Sequence, residues 1–326
     1  MSRTRSSLLT LLIALLAVPA FAQEPGADLD ELWRVGSLWQ VGDNREPVDE
    51  ARKAIIAAGD DGLKYALTKL DIADTLQIRC LNAVFAGFGD SAFDDLVANI
   101  GHESANARRN VADLLARLDD RKAAEPLLAQ AGLEENRGAR LAQLAALSKW
   151  QVEAAVPLLI EISGDTADRI RHRATSLLGA YSSQDSVTRL IAMLDDSVYY
   201  VRDGAQGALA GGTPQARALC LASLNNQLGL PGAQQNLQRL RLLLSVIATL
   251  ADDGTPVALR KALGHESGAV RGEASAALVA WKLGAGLLHE LDVDALLKSA
   301  IDKEHDPFAK AAMDKARTKL GEADAK

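Results

Sequence analysis

The sequence predicts an all-α protein built as an extended array of stacked helical pairs. Three observations carry that expectation: an extreme bias toward alanine and leucine, scarcity of aromatic residues, and a repeat with a period near 31 residues. Of 326 residues, 58 are Ala and 52 are Leu, about a third of the chain, while Phe, Trp and Tyr together make up 4%. Alanine costs least in a helix and lets neighbouring helices approach closely. A β-sandwich or barrel would need runs of Val, Ile, Thr and aromatics instead.

The first element in chain order reads as a targeting segment. Arg3 and Arg5 precede the apolar stretch Leu8 to Val18, too short for a comfortable bilayer span, and Ala20-Phe21-Ala22 has the small-x-small pattern of a cleavage site. Residues 1–22 are therefore expected to be a cleaved Sec-type signal peptide, the mature chain starting at Gln23 in the periplasm or outside the cell. Loss of two arginines takes the net charge from −7 to −9. So acidic a chain with so few aromatics lacks the phosphate-neutralising charge and stacking surfaces of a nucleic-acid binder. No second apolar stretch approaches 18 residues, so no transmembrane segment is expected in the mature chain. Cys80 and Cys220 lie in apolar helical patterns, as buried thiols do. A disulfide between them is the alternative, disfavoured by the four repeats that separate them.

Residues 23–45 contain a duplicated pentad, Leu32-Trp33-Arg34-Val35-Gly36 and Leu38-Trp39-Gln40-Val41-Gly42, read as a capping segment whose tryptophans cover the first repeat. The repeat array is assigned to residues 46–304. It is marked by Arg79, Arg108, Arg140, Arg171, Arg202, Arg241 and Arg271, at intervals of 29, 32, 31, 31, 39 and 30 residues. Small or apolar residues follow at one-face helical spacing, as in Arg202, Ala205, Ala208 and Leu209. A second helix follows each first one after a polar turn, with Pro126, Pro157, Pro214 or Pro256 near its start. The turns Gly101-His102-Glu103-Ser104 and Gly264-His265-Glu266-Ser267 are identical, and the unit spanning Gln227 to Leu250 carries an insertion. Residues 305–326 read as a C-terminal capping helix and tail: Asp306-Pro307 starts the helix, Lys315, Arg317 and Lys319 suit its end, and Gly321 follows.

The hydrophobic-Arg-x-x-Ala core, Leu178-Gly179 at its end and the Pro-led second helix resemble the HEAT-repeat family, in the short variety also seen in phycobilin-lyase-type repeats. The likeness runs over about residues 46 to 320, with a period below the ~40–47 residues of full HEAT units. It implies a right-handed α-solenoid of stacked short HEAT-like helical pairs, with second helices on the concave side. Their polar positions here, including Asp94, Asp95, Arg121, Lys122, Glu125, Gln184, Asp185, Arg189 and Arg217, form no single-sign trough and suit a protein surface.

The recurrent arginines admit two readings, a basic stripe for an anionic ligand or a structural ladder. Acids five or six positions earlier (Asp74, Glu103, Glu135, Asp165, Asp196, Glu266) favour a ladder in which each Arg holds a turn through a carboxylate. Deoxyhypusine hydroxylases, HEAT-like enzymes that bind two irons through His-Glu pairs, place those pairs just after the Arg position. Here only His172 stands there, followed by Arg173, while His102-Glu103, His265-Glu266 and His289-Glu290 fall at or near turns. No nucleophile elbow, phosphate loop or calcium loop is complete, so no catalytic residue, cofactor or metal is expected. Tyr199 and Tyr200 are adjacent at a helix start and cannot both face the core. Either one ring is exposed to anchor a partner, or one packs between repeats while the other covers the turn. The expected role is a non-enzymatic scaffold or adaptor for a protein of the cell envelope. The alternatives are an accessory protein binding a small ligand or prosthetic group, and a metal-dependent hydroxylase-like enzyme.

Overall fold

A computed structural model of the chain describes residues 28–324. The signal peptide expected over residues 1–22 lies outside them. Every regular element among the described residues is helical, as the composition requires. The chain divides into two compact units, Met1–Lys69 with Asp74–Phe88 and Leu70–Ala73 with Gly89–Lys326, a division that falls inside the array assigned to 46–304.

The first unit holds α1 (Leu29–Gly36), α2 (Arg45–Ala57), α3 (Asp60–Leu67) and α4 (Thr75–Phe88). Asp28 caps α1 by accepting from the Asp30 and Glu31 amides, and those two acids sit at the positive end of the helix. Ile55, Leu81, Val84 and Phe85 form the unit's core at 0–1% exposure. The duplicated pentad folds into two different structures. Trp33 on α1 is buried, donates through Nε1 to Gln77 and meets Tyr65 edge-on. Trp39 falls outside α1, in a segment that turns at Gly42 (φ +55°), and is half exposed. Trp33 is thus buried in the unit's core, whereas Trp39 stays half exposed and meets α4 through Arg79. The helix ends at Gly36 because the second pentad begins with an unhelical turn, not a second helix.

The second unit holds α5 (Phe93–Ala98), α6 (Ala105–Leu118), α7 (Ala124–Leu133), α8 (Arg137–Lys149), α9 (Val156–Ile162), α10 (Asp168–Leu178) and α11 (Gln184–Met193). It continues with α12 (Tyr199–Ala210), α13 (Pro214–Gly229), α14 (Leu237–Ile247), α15 (Gly254–Leu263), α16 (Gly268–Leu283), α17 (Val293–Lys303) and α18 (Pro307–Asp324). The first helices of successive pairs, α6, α8, α10, α12, α14, α16 and α18, pack each against the next, and each of α7, α9, α11, α13, α15 and α17 packs on the first helix that follows it. This sequential helix-pair packing is that of a solenoid. One pair leaves an apolar stripe that only its neighbours can cover, so stability resides in the interfaces. Leu114, Leu147, Leu178, Leu209, Leu244 and Leu278, one on each first helix from α6 to α16, are fully or almost fully buried. Removing such side chains from water contributes about 1.5–3 kcal/mol each.

The 39-residue interval between Arg202 and Arg241 has a plain cause. α13 is 16 residues long, against 10 in α11 and α15, and the 3₁₀ turn Gly232–Gln234 follows it. At the C-terminal end Asp306 does cap α18, accepting from the Phe308 and Ala309 amides. Gly321 does not end that helix: α18 runs on to Asp324, and Arg317 pairs with Asp294 of α17 rather than with the helix terminus. Cys80 and Cys220 are both free and fully buried, and burial pushes the Cys220 thiol up to about 12.

Candidate functional site: the inter-repeat turns and their arginines

Each polar turn presents one acceptor side chain at a fixed place. His102, Glu134, Asp165, Asp196, His265 and Glu304 each accept from the amide two residues later, at 2.7–3.0 Å. Such a bond satisfies an amide that the helix about to start leaves orphaned. Six residues after the first five of these acceptors stands the arginine of the following first helix; after Glu304 the place is taken by Lys310. Arg108, Arg171, Arg202 and Arg271 each donate through Nη1 to the carbonyls of the turn acceptor and the residue after it, at 2.7–3.1 Å. The two Gly-His-Glu-Ser turns repeat this geometry bond for bond: Arg108 reaches the His102 and Glu103 carbonyls at 2.7 and 2.8 Å, and Arg271 reaches those of His265 and Glu266 at the same distances.

The rest of the guanidinium faces forward, which corrects the expected pairing. The carboxylates that bind the arginines follow them in sequence, in the next turn. Arg108 binds Glu134 at 2.6 and 2.8 Å, Arg171 binds Asp196 at 2.7 and 2.9 Å, and Arg271 binds Glu304 at 2.6 and 2.5 Å, all bidentate. Glu103 and Glu266 contribute main-chain carbonyls only, and the Asp165 carboxylate takes Arg137. Glu134 and Glu304 are as acidic as the nearer carboxylates, and only the packing of successive pairs selects them. The paired carboxylates are buried, at 1–8% side-chain exposure, and the guanidinium beside each holds its pKa below the usual range; Glu304 falls to about 2. Fixed planar forks of this kind are strong, geometrically selective contacts.

The other arginines depart from the pattern. Arg140 donates to the Ala131 carbonyl and to Glu161, and Arg202 makes the two carbonyl bonds alone. Arg79, in the first unit, lies over the Trp39 ring at 4.7 Å, a cation–π contact. Arg241 is half exposed, its nearest carboxylate Glu273 at 3.8 Å. The turn after Arg241 holds His265 where those after Arg108, Arg171 and Arg271 hold Glu134, Asp196 and Glu304, so no carboxylate waits there. His265 Nδ1 accepts from the Ser267 amide, so Nε2 carries the proton and donates to Gln235 at 2.5 Å. Burial keeps this imidazole's pKa below its ordinary value. Among the described residues no group of three His, Cys, Asp or Glu is placed to hold a metal ion.

Tyr199 and Tyr200 open α12. Tyr199 is 66% exposed; Tyr200 is half-buried, edge-on to both Tyr199 (5.5 Å) and His172 (5.4 Å). The Tyr200 hydroxyl bonds the Asp168 carboxylate, which lowers that acid's pKa and raises the phenol's. Gly204 makes room for the imidazole, since a Cβ there would press on its ring at 3.3 Å. On the second helices, Arg189 donates to Ser163 and Arg217 to the Gly212 carbonyl, so both serve turns. No helix among the described residues is long and apolar enough to cross a membrane.

Stacked helical pairs tied by arginine-turn contacts define a helical-repeat protein. Residues 132–210, from the end of α7 through α12, match the family model of HEAT repeats. No curated protein matches the chain. Among solved structures it is similar to the Escherichia coli protein YibA, at 14% identity and a TM-score of 0.43, over 87% of this chain and 98% of that one. It is also similar to human deoxyhypusine hydroxylase in complex with glycerol, at 15% identity and a TM-score of 0.30, over 90% of this chain and 96% of that one.

Proposed function

We propose that the protein is a non-enzymatic scaffold or adaptor, exported to the periplasm or beyond, that binds a protein partner on the exposed faces of its repeats. The observation that carries this reading is Tyr199. A large ring two-thirds exposed, held edge-on by a neighbour that is itself hydrogen-bonded to Asp168, loses little conformational freedom on contact. Rigid, exposed aromatics of this kind concentrate binding energy in interfaces. Most turn polar groups are already committed to one another, which supports a structural rather than a catalytic role for them.

Crosslinking of the chain in its own envelope fraction, followed by mapping of the crosslinked residues, tests the proposal. A reproducible partner crosslinked around Tyr199, and lost in Tyr199→Ala, is the expected result. A chain that captures no polypeptide but retains a metal or small molecule after purification would overturn it. N-terminal sequencing tests export, which predicts a mature chain starting at Gln23.

A further inference from the structure

The half-exposed Arg241 lies on a groove. Where α14, α16 and α18 run side by side in the second unit, their outer faces enclose about 680 Å³ of open, mainly apolar space. Its floor consists of small residues, among them Ala276 on α16 and Ala312 and Ala316 on α18. The helices beneath pack so closely that a Cβ on Gly272 would meet Ala312 at 3.0 Å. Small side chains at a contact shorten the distance at which another helix can pack. Phe308 stands at one lip, 85% exposed. Lys315 and Lys319 continue the same face of α18, about 10 and 16 Å further along at 1.5 Å per residue.

The charges in the groove are unevenly committed. Asp306 is occupied by capping α18, and Glu273 stands 3.8 Å from Arg241. Among the described residues Lys315 and Lys319 have no hydrogen-bonding or ionic partner. In a chain of net charge −7, this is an apolar channel with its uncommitted charge entirely cationic.

We propose that this groove docks an acidic amphipathic helix of a protein partner. Its apolar residues would pack against Phe308 and the alanine floor, and carboxylates seven and eleven positions further on would meet Lys315 and Lys319. An apolar helix face laid in a groove supplies the affinity, and the rim charges supply selectivity and a salt-sensitive on-rate. The inference deepens the adaptor reading and rests on it.

The test titrates the full-length protein with two labelled synthetic helices, read by fluorescence anisotropy. One carries leucines at helical spacing followed by glutamates at those two positions; the other has lysines in place of the glutamates. The acidic peptide should bind at least tenfold more tightly than the basic one. Phe308→Ala should weaken it about tenfold, and Lys315→Glu with Lys319→Glu should reverse the preference. All three positions are exposed, and circular dichroism checks that the variants remain folded. Equal binding of both peptides, no binding of either, or indifference to these substitutions overturns the proposal. Sedimentation that shows the groove closed by a second copy, in a dimer broken by Phe308→Ala, overturns the choice of occupant. A partner crosslinked at Tyr199 while neither peptide binds would sink this inference and leave the adaptor reading intact.

Discussion

The turns within residues 132–210 and the turn that opens α16 use the same frame with different occupants. In the first stretch the turn acceptors are Glu134, Asp165 and Asp196, and each carboxylate also takes an arginine from an earlier first helix. At the turn before α16 the acceptor is His265, which satisfies the turn amide equally well but offers no negative charge, whereas Glu304 one turn further on restores the carboxylate. Arg241 is accordingly left half exposed at 3.8 Å from Glu273, and Arg239 turns back to Asp195 in the preceding turn. At these turns one residue thus decides whether a carboxylate is present to take up an arginine.

The comparison breaks first if the two kinds of arginine prove alike. Arg171→Ala strips two turn carbonyls and a buried aspartate of their partner, and should lower stability by about 3 kcal/mol in urea denaturation. Acid titration should show the next largest effect. Glu134, Asp196 and Glu304 hold their protons less readily folded than unfolded, so the stability they add is present above about pH 4.5 and is lost as pH falls toward 2. Glu304→Gln should flatten that slope and cost about 2 kcal/mol at neutral pH. His265 is shifted in the same direction: its unfolded form takes up a proton first, so stability should also decline as pH falls below 6.5. His265→Asn keeps a turn acceptor and should remove this component, read as a smaller difference between thermal melts at pH 5 and 7.5 than in the parent protein. Arg241→Ala should stay within about 0.5 kcal/mol of the parent protein. A cost near that of Arg171→Ala would erase the distinction.

Much of this was legible in the residues. Repeat period, helical class, buried cysteines and the pairing of first and second helices all follow from apolar spacing, because a helix face must be covered wherever it recurs. The arginine positions were equally readable. Their partners were not, because local acids and the acids of the next turn are both near in sequence, and only packing of the first helices brings Arg108 to Glu134 rather than Glu103. Trp39 differs from Trp33 although duplicated pentads invite identical folds: the segment after Gly36 leaves the helix and is held by the polar contacts of Arg52 and Arg79 instead of an apolar face. The groove at α14, α16 and α18 left no sequence signature beyond scattered alanines, since the same residues would serve a close-packed interior.

Asp196 gives its carboxylate to the arginine of one pair and its carbonyl to the arginine of the next. A single residue therefore belongs to two repeats at once, and neither can unravel without loosening the other. That shared joint transmits cooperativity along the array, so amide hydrogen exchange through residues 165–202 should proceed as one block. At His265 the joint gives only its carbonyl, to Arg271, and no carboxylate to Arg241, so exchange in α14 should not be tied to that of α16 in the same way.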